Sequence, residues 1–386
     1  MHVAGRMTLR ARQKRKWLVA EKENSHIMLS IAQFRKTLTL ALILVAGFTS
    51  AAWAQPPAQG TAAGRPVAWR DPGDISARDL RTGQCAANLA PVAPYTFVAE
   101  DRLGTSPKFK VRDARGMSWV VKLGEEAQSE TVATRLVWAM GYFAEESYYF
   151  DRVEVQNLPR LSRGQNFVEG RSGVVRGARF EPRRENAERA SQWDWEKNPF
   201  VGQREFNGLK VLMALLGNYD IRPENNLVIS VKDPQSGDTE ARYFVSDIGA
   251  TLGKVGGLGG KRSKNNLEDF RTSKFVVGVE NGVVKFDFHT KPKGGGGFFA
   301  SIFNPSYAKS QAQKERVINN IPVEDARWMG QQLSRLSDEQ LRDAFRAAQY
   351  DTATRDGYVA ALRTRINQLT QLPSANAVAS SQTSRR

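Results

Sequence analysis

Three polar side chains placed around a predicted β-hairpin constrain this chain more than any other feature. Asp220 and Asn225 stand five positions apart, and Asp247 follows later in the chain. Two strand-like segments, 227–232 and 241–246, separate Asn225 from Asp247. Because a hairpin brings its two ends together whatever its length, we expect Asn225 and Asp247 to meet. A surface turn is the alternative reading, since the residues around Asp220 also suit turn chemistry.

The three side chains suit phosphoryl transfer, which depends on positioned charge more than on covalent chemistry. Carboxylate and amide oxygens are hard ligands that fit Mg²⁺, so Asn225 and Asp247 are the predicted metal ligands. Asp220 is the predicted catalytic carboxylate, which would face the hydroxyl that accepts the phosphoryl group.

A lysine at the end of a predicted strand supplies a cation for phosphates. Lys122 ends the alternating segment 119–123, although a lone lysine there also fits an exposed strand position. Its predicted acidic partner is Glu130, in the helix that follows, with Glu125 and Glu126 as alternatives. Acidic residues also favour helix N-termini for reasons of the helix dipole alone.

A short loop upstream is the predicted cover for the phosphates. It contains Gly104, Ser106 and Lys108. Gly104 and Ser106 belong to a Gly/Ser/Thr turn, whose backbone N–H groups can bind an anion, and Lys108 adds a positive charge. A purely structural hairpin turn fits the same residues.

The order of predicted elements indicates an α+β fold of two lobes, rich in strands first and in helices later. A helix is predicted to begin at Ser129 and end at Gly141, and a capping box at Ser337–Gln340 opens another. The predicted divisions are a signal peptide at 1–54, a flexible spacer and lead-in at 55–93, an N-lobe at 94–180, a connector at 181–197, a C-lobe at 198–372 and a disordered tail at 373–386.

The beginning of the chain predicts export. Arg35 and Lys36 precede an apolar run that ends in small residues, so Gln55 is the predicted mature N-terminus and Met28 an alternative start. The predicted location is periplasmic or secreted, with an uncleaved membrane anchor as the alternative. Cys85 is the one cysteine, which excludes an internal disulfide and the usual zinc sites.

The net charge limits the classes of partner. Of the formal +16, residues 1–54 contribute +7, which leaves +9 for the rest. These charges are interspersed with acids, so a solvated basic surface and attraction to an anionic envelope surface both remain open. No nucleic-acid motif is present, and we expect no nucleic-acid partner.

Taken together, these motifs resemble the protein-kinase-like superfamily, in its atypical branch of HipA-type and phosphatidylinositol kinases. The resemblance implies ATP or another nucleotide as phosphate donor, Lys122 on its phosphates, Asp220 as base, and Asn225 with Asp247 on Mg²⁺. Gly104, Ser106, Lys108 and Glu130 complete the predicted nucleotide site. The chain departs from the kinase pattern at three positions, which are Asn218, Tyr219 and Ile248.

Three functions follow as hypotheses. The first is an exported atypical kinase that phosphorylates a hydroxyl of a protein, lipid or glycan. The second is a module of the same fold that binds a nucleotide, an anionic lipid or an envelope partner without turnover. The third is a structural envelope protein in which the motifs are accidental.

Overall fold

A computed structural model describes residues 62–85, 89–170, 172–183, 191–233, 236–256, 262–288 and 305–374. The predicted signal peptide lies outside these residues, as does most of the predicted tail. The strands are β1 (Arg65–Val67), β2 (Tyr95–Asp101), β3 (Lys108–Arg112), β4 (Ser118–Leu123), β5 (Phe143–Ala144), β6 (Tyr148–Gln156), β7 (Val174–Pro182), β8 (Asn226–Lys232), β9 (Thr239–Val245), β10 (Val276–Glu280), β11 (Val283–Phe286) and β12 (Ile321–Pro322). The α-helices are α1 (Glu125–Ala139), α2 (Arg204–Leu216), α3 (Leu267–Thr272), α4 (Pro305–Ile318), α5 (Val323–Ser334), α6 (Asp338–Ala347) and α7 (Thr352–Thr370).

The strand-rich part is a closed barrel in the order β2-β3-β4-β7-β6. Its strands alternate between buried apolar and more exposed residues, which is the pattern of a sheet with one face on a core. Phe109, Val121 and Phe180 are fully buried within the barrel's own hydrophobic cluster. Their neighbours in sequence therefore point to the outer face, and Lys122 is one of them.

The helix-rich part has a second hydrophobic cluster, formed mainly by α1, α2, α5, α6 and α7. Helix α2 is buried from Phe206 to Leu216, as expected for a helix that is apolar on most sides and packed by neighbours. The Ser337–Gln340 capping box is present as predicted and opens α6. The predicted fold class is confirmed: the chain is α+β, with a strand-rich N-terminal lobe and a helix-rich C-terminal lobe.

The predicted hairpin is formed by β8 and β9, which pair antiparallel from Asn226↔Val245 to Lys232↔Thr239. It belongs to a four-stranded sheet in which β9 also pairs in parallel with β1 and with β5. This register places Asn225 and Ser246 side by side at the end of the hairpin.

The segment 55–93, predicted to be a flexible spacer and lead-in, differs from that prediction where the structure describes it. It contributes β1 to the hairpin sheet. Ile75 and Leu80 are fully buried in the helix-rich core. Its Pro- and Gly-rich composition suggested a spacer, but these isolated apolar residues anchor it by packing.

Helix α1 begins four residues before the predicted start. Gly124 occupies its N-cap position, and Ser129 lies inside the helix, where its Oγ donates to Gly249 O at 2.8 Å. The serine therefore joins the helix to a distant loop instead of capping it. Among the helices that the structure describes, none is both long and apolar enough to span a bilayer.

Candidate active site

A buried lysine lies at the centre of the first half of the site. The Nζ of Lys122 lies 2.5 Å from Asp247 Oδ1, 2.9 Å from Glu126 Oε2 and 3.0 Å from Glu130 Oε2. We call Lys122, its three carboxylates and the adjacent Arg179 the lysine cluster. It brings together β4, α1 and the segment after β9, which are far apart in sequence.

Helix geometry explains why two glutamates reach the same lysine. Glu126 and Glu130 are four residues apart in α1, so they lie one turn apart on one face. Glu125, the third candidate in the sequence, is exposed. Burial opposes the charge on Lys122, but Glu130 and Asp247 outweigh it and raise the pKa of Lys122 well above its usual value. The lysine is therefore held in its charged form.

Arg179 is a second buried cation that the sequence analysis missed. In the barrel, Arg179 of β7 is the direct pairing partner of Lys122 in the neighbouring strand β4, and Lys122 is paired in turn with Lys108 of β3. Directly opposed residues of neighbouring strands point to the same face, so the three cations form a row over β3, β4 and β7. Arg179 Nη2 lies 3.3 Å from Glu130 Oε2 and 2.8 Å from Glu181 Oε2. Strand register is the signal that would have found it.

The second half of the site is a carboxylate surrounded by cations. Arg222 Nη2 donates to Asp220 Oδ2 at 2.7 Å, and Lys314 Nζ donates to Asp220 Oδ1 at 3.2 Å. Asn225 Nδ2 donates to the backbone oxygen of Asp220 at 2.8 Å and to its Oδ2 at 3.2 Å. We call these four residues the aspartate cluster.

The electrostatics keep Asp220 ionised. Burial acts to raise its pKa, but Lys314 and Arg222 outweigh that effect, so the pKa of Asp220 is lowered. Lys314 comes from α4, and burial lowers its own pKa despite the attraction of Asp220. No local pattern in the sequence connects Lys314 with a residue 94 positions earlier, so the sequence alone does not predict its place in the site.

Backbone hydrogen bonds join the two halves of the site. The N–H of Ser246 donates to Asn225 O at 2.9 Å, and the N–H of Tyr219 donates to Ala250 O at 3.4 Å. Asp247 lies between these two connections, with a left-handed φ of 48°. A non-glycine residue in that region is uncommon and strained, and such residues concentrate at functional sites. The structure thus brings Asp220, Asn225 and Asp247 into one connected segment.

The predicted phosphate loop joins β2 to β3 beside the lysine cluster. Gly104 has a left-handed φ of 72° and its carbonyl accepts from Arg163 Nη1 at 2.7 Å. Ser106 Oγ donates to Glu126 Oε2 at 2.7 Å. Lys108 lies 3.9 Å from Asp101 Oδ2 and lines up with Lys122. The loop is therefore in contact with the cluster it was predicted to serve.

Glu145 is a buried acid behind Asp247 that the sequence analysis also missed. It follows β5, whose pairing places it beside Ser246, and the Ser246 hydroxyl donates to its Oε2. Burial and the nearby charge of Glu181 raise the pKa of Glu145 to about 8. Glu145 therefore holds its proton more tightly than an ordinary carboxyl group does, in contact with the residue that precedes Asp247.

The oxygen donors of the site fit Mg²⁺. Asp247 offers a half-exposed carboxylate, and Asn225 uses its Nδ2 toward Asp220, so its Oδ1 takes no part in those contacts. No group of three or more His, Cys, Asp or Glu side chains suited to a metal occurs in the described parts of the chain. One or two protein oxygens completed by substrate phosphates are nevertheless the usual Mg²⁺ site in phosphotransfer proteins.

Comparison with known proteins adds one weak likeness. No protein-family model matches the chain, and no curated protein matches it. The crystal structure of the Helicobacter pylori proinflammatory kinase CtkA is similar, at 12% identity over 72% of this chain and 99% of that one, with a TM-score of 0.30. Residues cannot be equated between chains at that TM-score, so the function of this chain is inferred from its own contacts.

Proposed function

We propose that this protein is a kinase-type phosphotransferase that moves a phosphoryl group from a Mg-nucleotide to a hydroxyl. One observation carries the proposal: Lys122 contacts Glu130 of α1 and Asp247 after β9 at the same time, at 3.0 Å and 2.5 Å. A charged lysine oriented by a helix glutamate, beside an aspartate that can hold a metal, is the arrangement that protein kinases use on nucleotide phosphates.

The cation row fits a polyphosphate. Lys108, Lys122 and Arg179 follow one another across three strands, and the Nε and Nη1 of Arg179 have no hydrogen-bond partner among the described residues. Buried N–H groups are usually paired, so these two donors of Arg179 are left unsatisfied by the described residues. ATP is the proposed nucleotide, with Gly104 and Ser106 on the loop beside its phosphates.

Asp220 is the proposed base. Its ionised carboxylate can accept the proton of an acceptor hydroxyl, and Arg222, Asn225 and Lys314 orient it. Bound Mg²⁺ would neutralise phosphate charge, with Asn225 and Asp247 as its protein ligands. The proposed acceptor is a hydroxyl of a protein, lipid or glycan.

Thermal unfolding with and without ATP and Mg²⁺ tests this function. One-site binding at a hundredfold excess over the dissociation constant stabilises the folded state by about 2.7 kcal/mol. We expect a shift that needs both ATP and Mg²⁺ and that Asp247→Ala removes. Asp238→Ala, at an exposed turn of the same hairpin, is the matched control and should keep the shift. No shift in folded wild-type protein would contradict the proposal.

A nucleotide-binding module without turnover is the second candidate. The Lys122–Asp247 ion pair favours this candidate, because it occupies one carboxylate oxygen of Asp247, the proposed metal ligand. Both candidates predict ATP binding, and only the kinase predicts transfer of labelled phosphate to a hydroxyl. Transfer that depends on Asp220 and Asp247 would remove the module as an explanation.

The proposed place of action is outside the cytoplasm, in the periplasm or in the medium. It rests on the basic, apolar and small-residue succession in 1–54. Sequencing the N-terminus of the protein recovered from an exporting cell should find Gln55, whereas an uncleaved anchor would leave the segment in place.

Attraction of the remaining positive charge to an anionic envelope surface predicts salt-sensitive binding to vesicles that contain acidic lipids.

A further inference from the structure

Three donors from separate elements converge on the carboxylate of Glu126. Ser106 Oγ, from the loop between β2 and β3, lies 2.7 Å from Oε2, and Lys122 Nζ lies 2.9 Å from the same oxygen. Lys264 Nζ, from the helix-rich lobe, donates to Oε1 at 2.8 Å. A hydroxyl and two ammonium groups around one anion form the kind of site that binds a phosphate.

The contacts hold the anion form of Glu126 firmly. Burial favours the protonated acid, but Lys122 and Lys264 outweigh it and lower the pKa of Glu126 to about 2. Glu126 also raises the pKa of Lys264, although burial of that lysine works in the opposite direction. At neutral pH Glu126 therefore bears a negative charge between the ammonium groups of Lys122 and Lys264, and Lys122 also contacts the carboxylates of Glu130 and Asp247.

Two of the three donors are the groups predicted to bind nucleotide phosphates. The sequence predicts Ser106 and Lys122 as phosphate ligands. In the structure, both contact the carboxylate of Glu126. The Ser106 hydroxyl donates to Glu126, and Lys122 Nζ is shared among Glu126, Glu130 and Asp247. A phosphate can therefore take the place of the Glu126 carboxylate between these donors only if that carboxylate moves away. Glu126 therefore competes with any anion for this site.

Hydrogen bonds anchor α1 next to Glu126, so the proposed movement is a rotation of the Glu126 side chain. Ser129 and Gln128 hold the helix against the helix-rich part through Gly249 O and Ala348 O, at 2.8 Å and 3.0 Å. A Cβ on Gly249 would lie 2.7 Å from Glu126 Cβ, so only glycine allows the loop after Asp247 to pack this closely on the helix.

We propose that Ser106, Lys122 and Lys264 form a phosphate site that Glu126 fills as an internal competitor, and that Lys264 becomes a phosphate ligand when Glu126 rotates out. The inference rests on the proposed function, which it deepens by adding Lys264 to the nucleotide site. It also gives the two lobes a shared anion, since Ser106 and Lys122 belong to one lobe and Lys264 to the other.

Calorimetric titration of the full chain with sodium tripolyphosphate, without metal, tests the site directly. Removing the competing carboxylate in Glu126→Gln should tighten binding about tenfold, in keeping with the strength of hydrogen bonds to charged groups. Glu125→Gln is the matched control, because it makes the same charge change in the same helical turn at an exposed position. It should leave the affinity within about twofold.

Lys264→Met supplies the second arm. In the Glu126→Gln background it should weaken tripolyphosphate binding about tenfold, since it removes a ligand. In the wild type, Lys264→Met should weaken tripolyphosphate binding less, because it also removes one of the donors that hold the competing Glu126 carboxylate in the site. The effects of the two substitutions on affinity should therefore not be additive. Lys274→Met, at an exposed lysine nearby, should have no effect in either background.

The outcomes separate this inference from the proposed function. If wild type binds ATP with Mg²⁺ but Glu126→Gln leaves tripolyphosphate binding unchanged or weaker, the competitor is ruled out and the kinase site stands. Loss of Mg-ATP binding alone in Glu126→Gln would make Glu126 a metal ligand and would also overturn the inference. If neither protein binds either ligand, the proposed function and this inference both fail.

Circular dichroism and thermal unfolding without ligand check that each variant folds. If Glu126→Gln does not fold, Glu126→Asp is the replacement variant. It keeps the negative charge, but its shorter side chain brings the carboxylate less close to Ser106, Lys122 and Lys264. It should tighten tripolyphosphate binding in the same direction and by less. Weaker binding in a folded Glu126→Asp protein would contradict the proposal.

Discussion

The two halves of the candidate site are electrostatic opposites. In the lysine cluster, carboxylates surround a cation whose side chain is only 7% exposed, and Glu130 is almost completely buried. In the aspartate cluster, cations surround a carboxylate that is 27% exposed; Arg222 is 42% exposed, whereas Lys314 is only 4% exposed. Buried partners depend strongly on one another, whereas exposed ones are screened by water.

This difference indicates different roles. Breaking the lysine cluster should reduce the stability of the fold as well as nucleotide binding, because Lys122 and Glu130 are buried and Lys122 and Asp247 belong to the proposed nucleotide and metal site. Changing the aspartate cluster should mainly alter the reaction, since Asp220 is open to an incoming hydroxyl.

Asp220→Asn should lower the rate of phosphoryl transfer about 10³-fold, because a positioned general base contributes about 10² to 10⁴ in rate. ATP affinity should change little, since Asp220 contacts none of the row formed by Lys108, Lys122 and Arg179. Single-turnover transfer of labelled phosphate measures the first quantity, and calorimetry the second. A loss of affinity with an unchanged rate would reverse the proposed roles of the two clusters.

Glu130→Gln should lower the free energy of unfolding by about 3 kcal/mol, because it removes the almost completely buried carboxylate that pairs with both Lys122 and Arg179. Denaturant unfolding measures this, with exposed Glu125→Gln as the matched control, expected within about 0.5 kcal/mol. The same measurement on Asp220→Asn should show a smaller loss than Glu130→Gln. Equal losses would contradict the expected difference between the two clusters in their contribution to stability.

Glu145 should make stability depend on pH. Its folded pKa of about 8 lies above the ordinary value of 4.5, so the folded state holds a proton that the unfolded state has released between these values. Stability should therefore be full below pH about 4.5 and fall as pH rises toward about 8, by at most about 1.4 kcal/mol per pH unit. Urea unfolding at several pH values should show this slope in wild type and a flatter one in Glu145→Gln.

Lys314→Met should move the acid limb of the rate–pH profile upward by about one pH unit. Lys314 is the first of the charges that lower the pKa of Asp220, and loss of a nearby opposite charge raises the pKa of a carboxyl group. Lys309→Met, at an exposed position of the same helix, is the control. A lower rate at every pH without a shift would show that Lys314 orients Asp220 and does not tune its charge.

Local patterns predicted the elements well where short-range chemistry decides them. The Ser337–Gln340 box opened a helix as expected, because both of its hydrogen bonds are made within four residues. The hairpin after Asn225 formed where alternating apolar residues indicated strands. Ser129 was misread as a cap, because a serine satisfied by a distant carbonyl has no local signature.

The sequence by itself determined the order of Lys122, Asp220, Asn225 and Asp247 and the proximity of the two residues that flank the hairpin. Tertiary structure alone decided what surrounds them. Arg179, Lys264 and Lys314 reach the site through strand register and the packing of the lobes, across separations that leave no periodic trace in the chain. A residue's charge is local, whereas its partner, its burial and therefore its pKa are properties of the assembled fold.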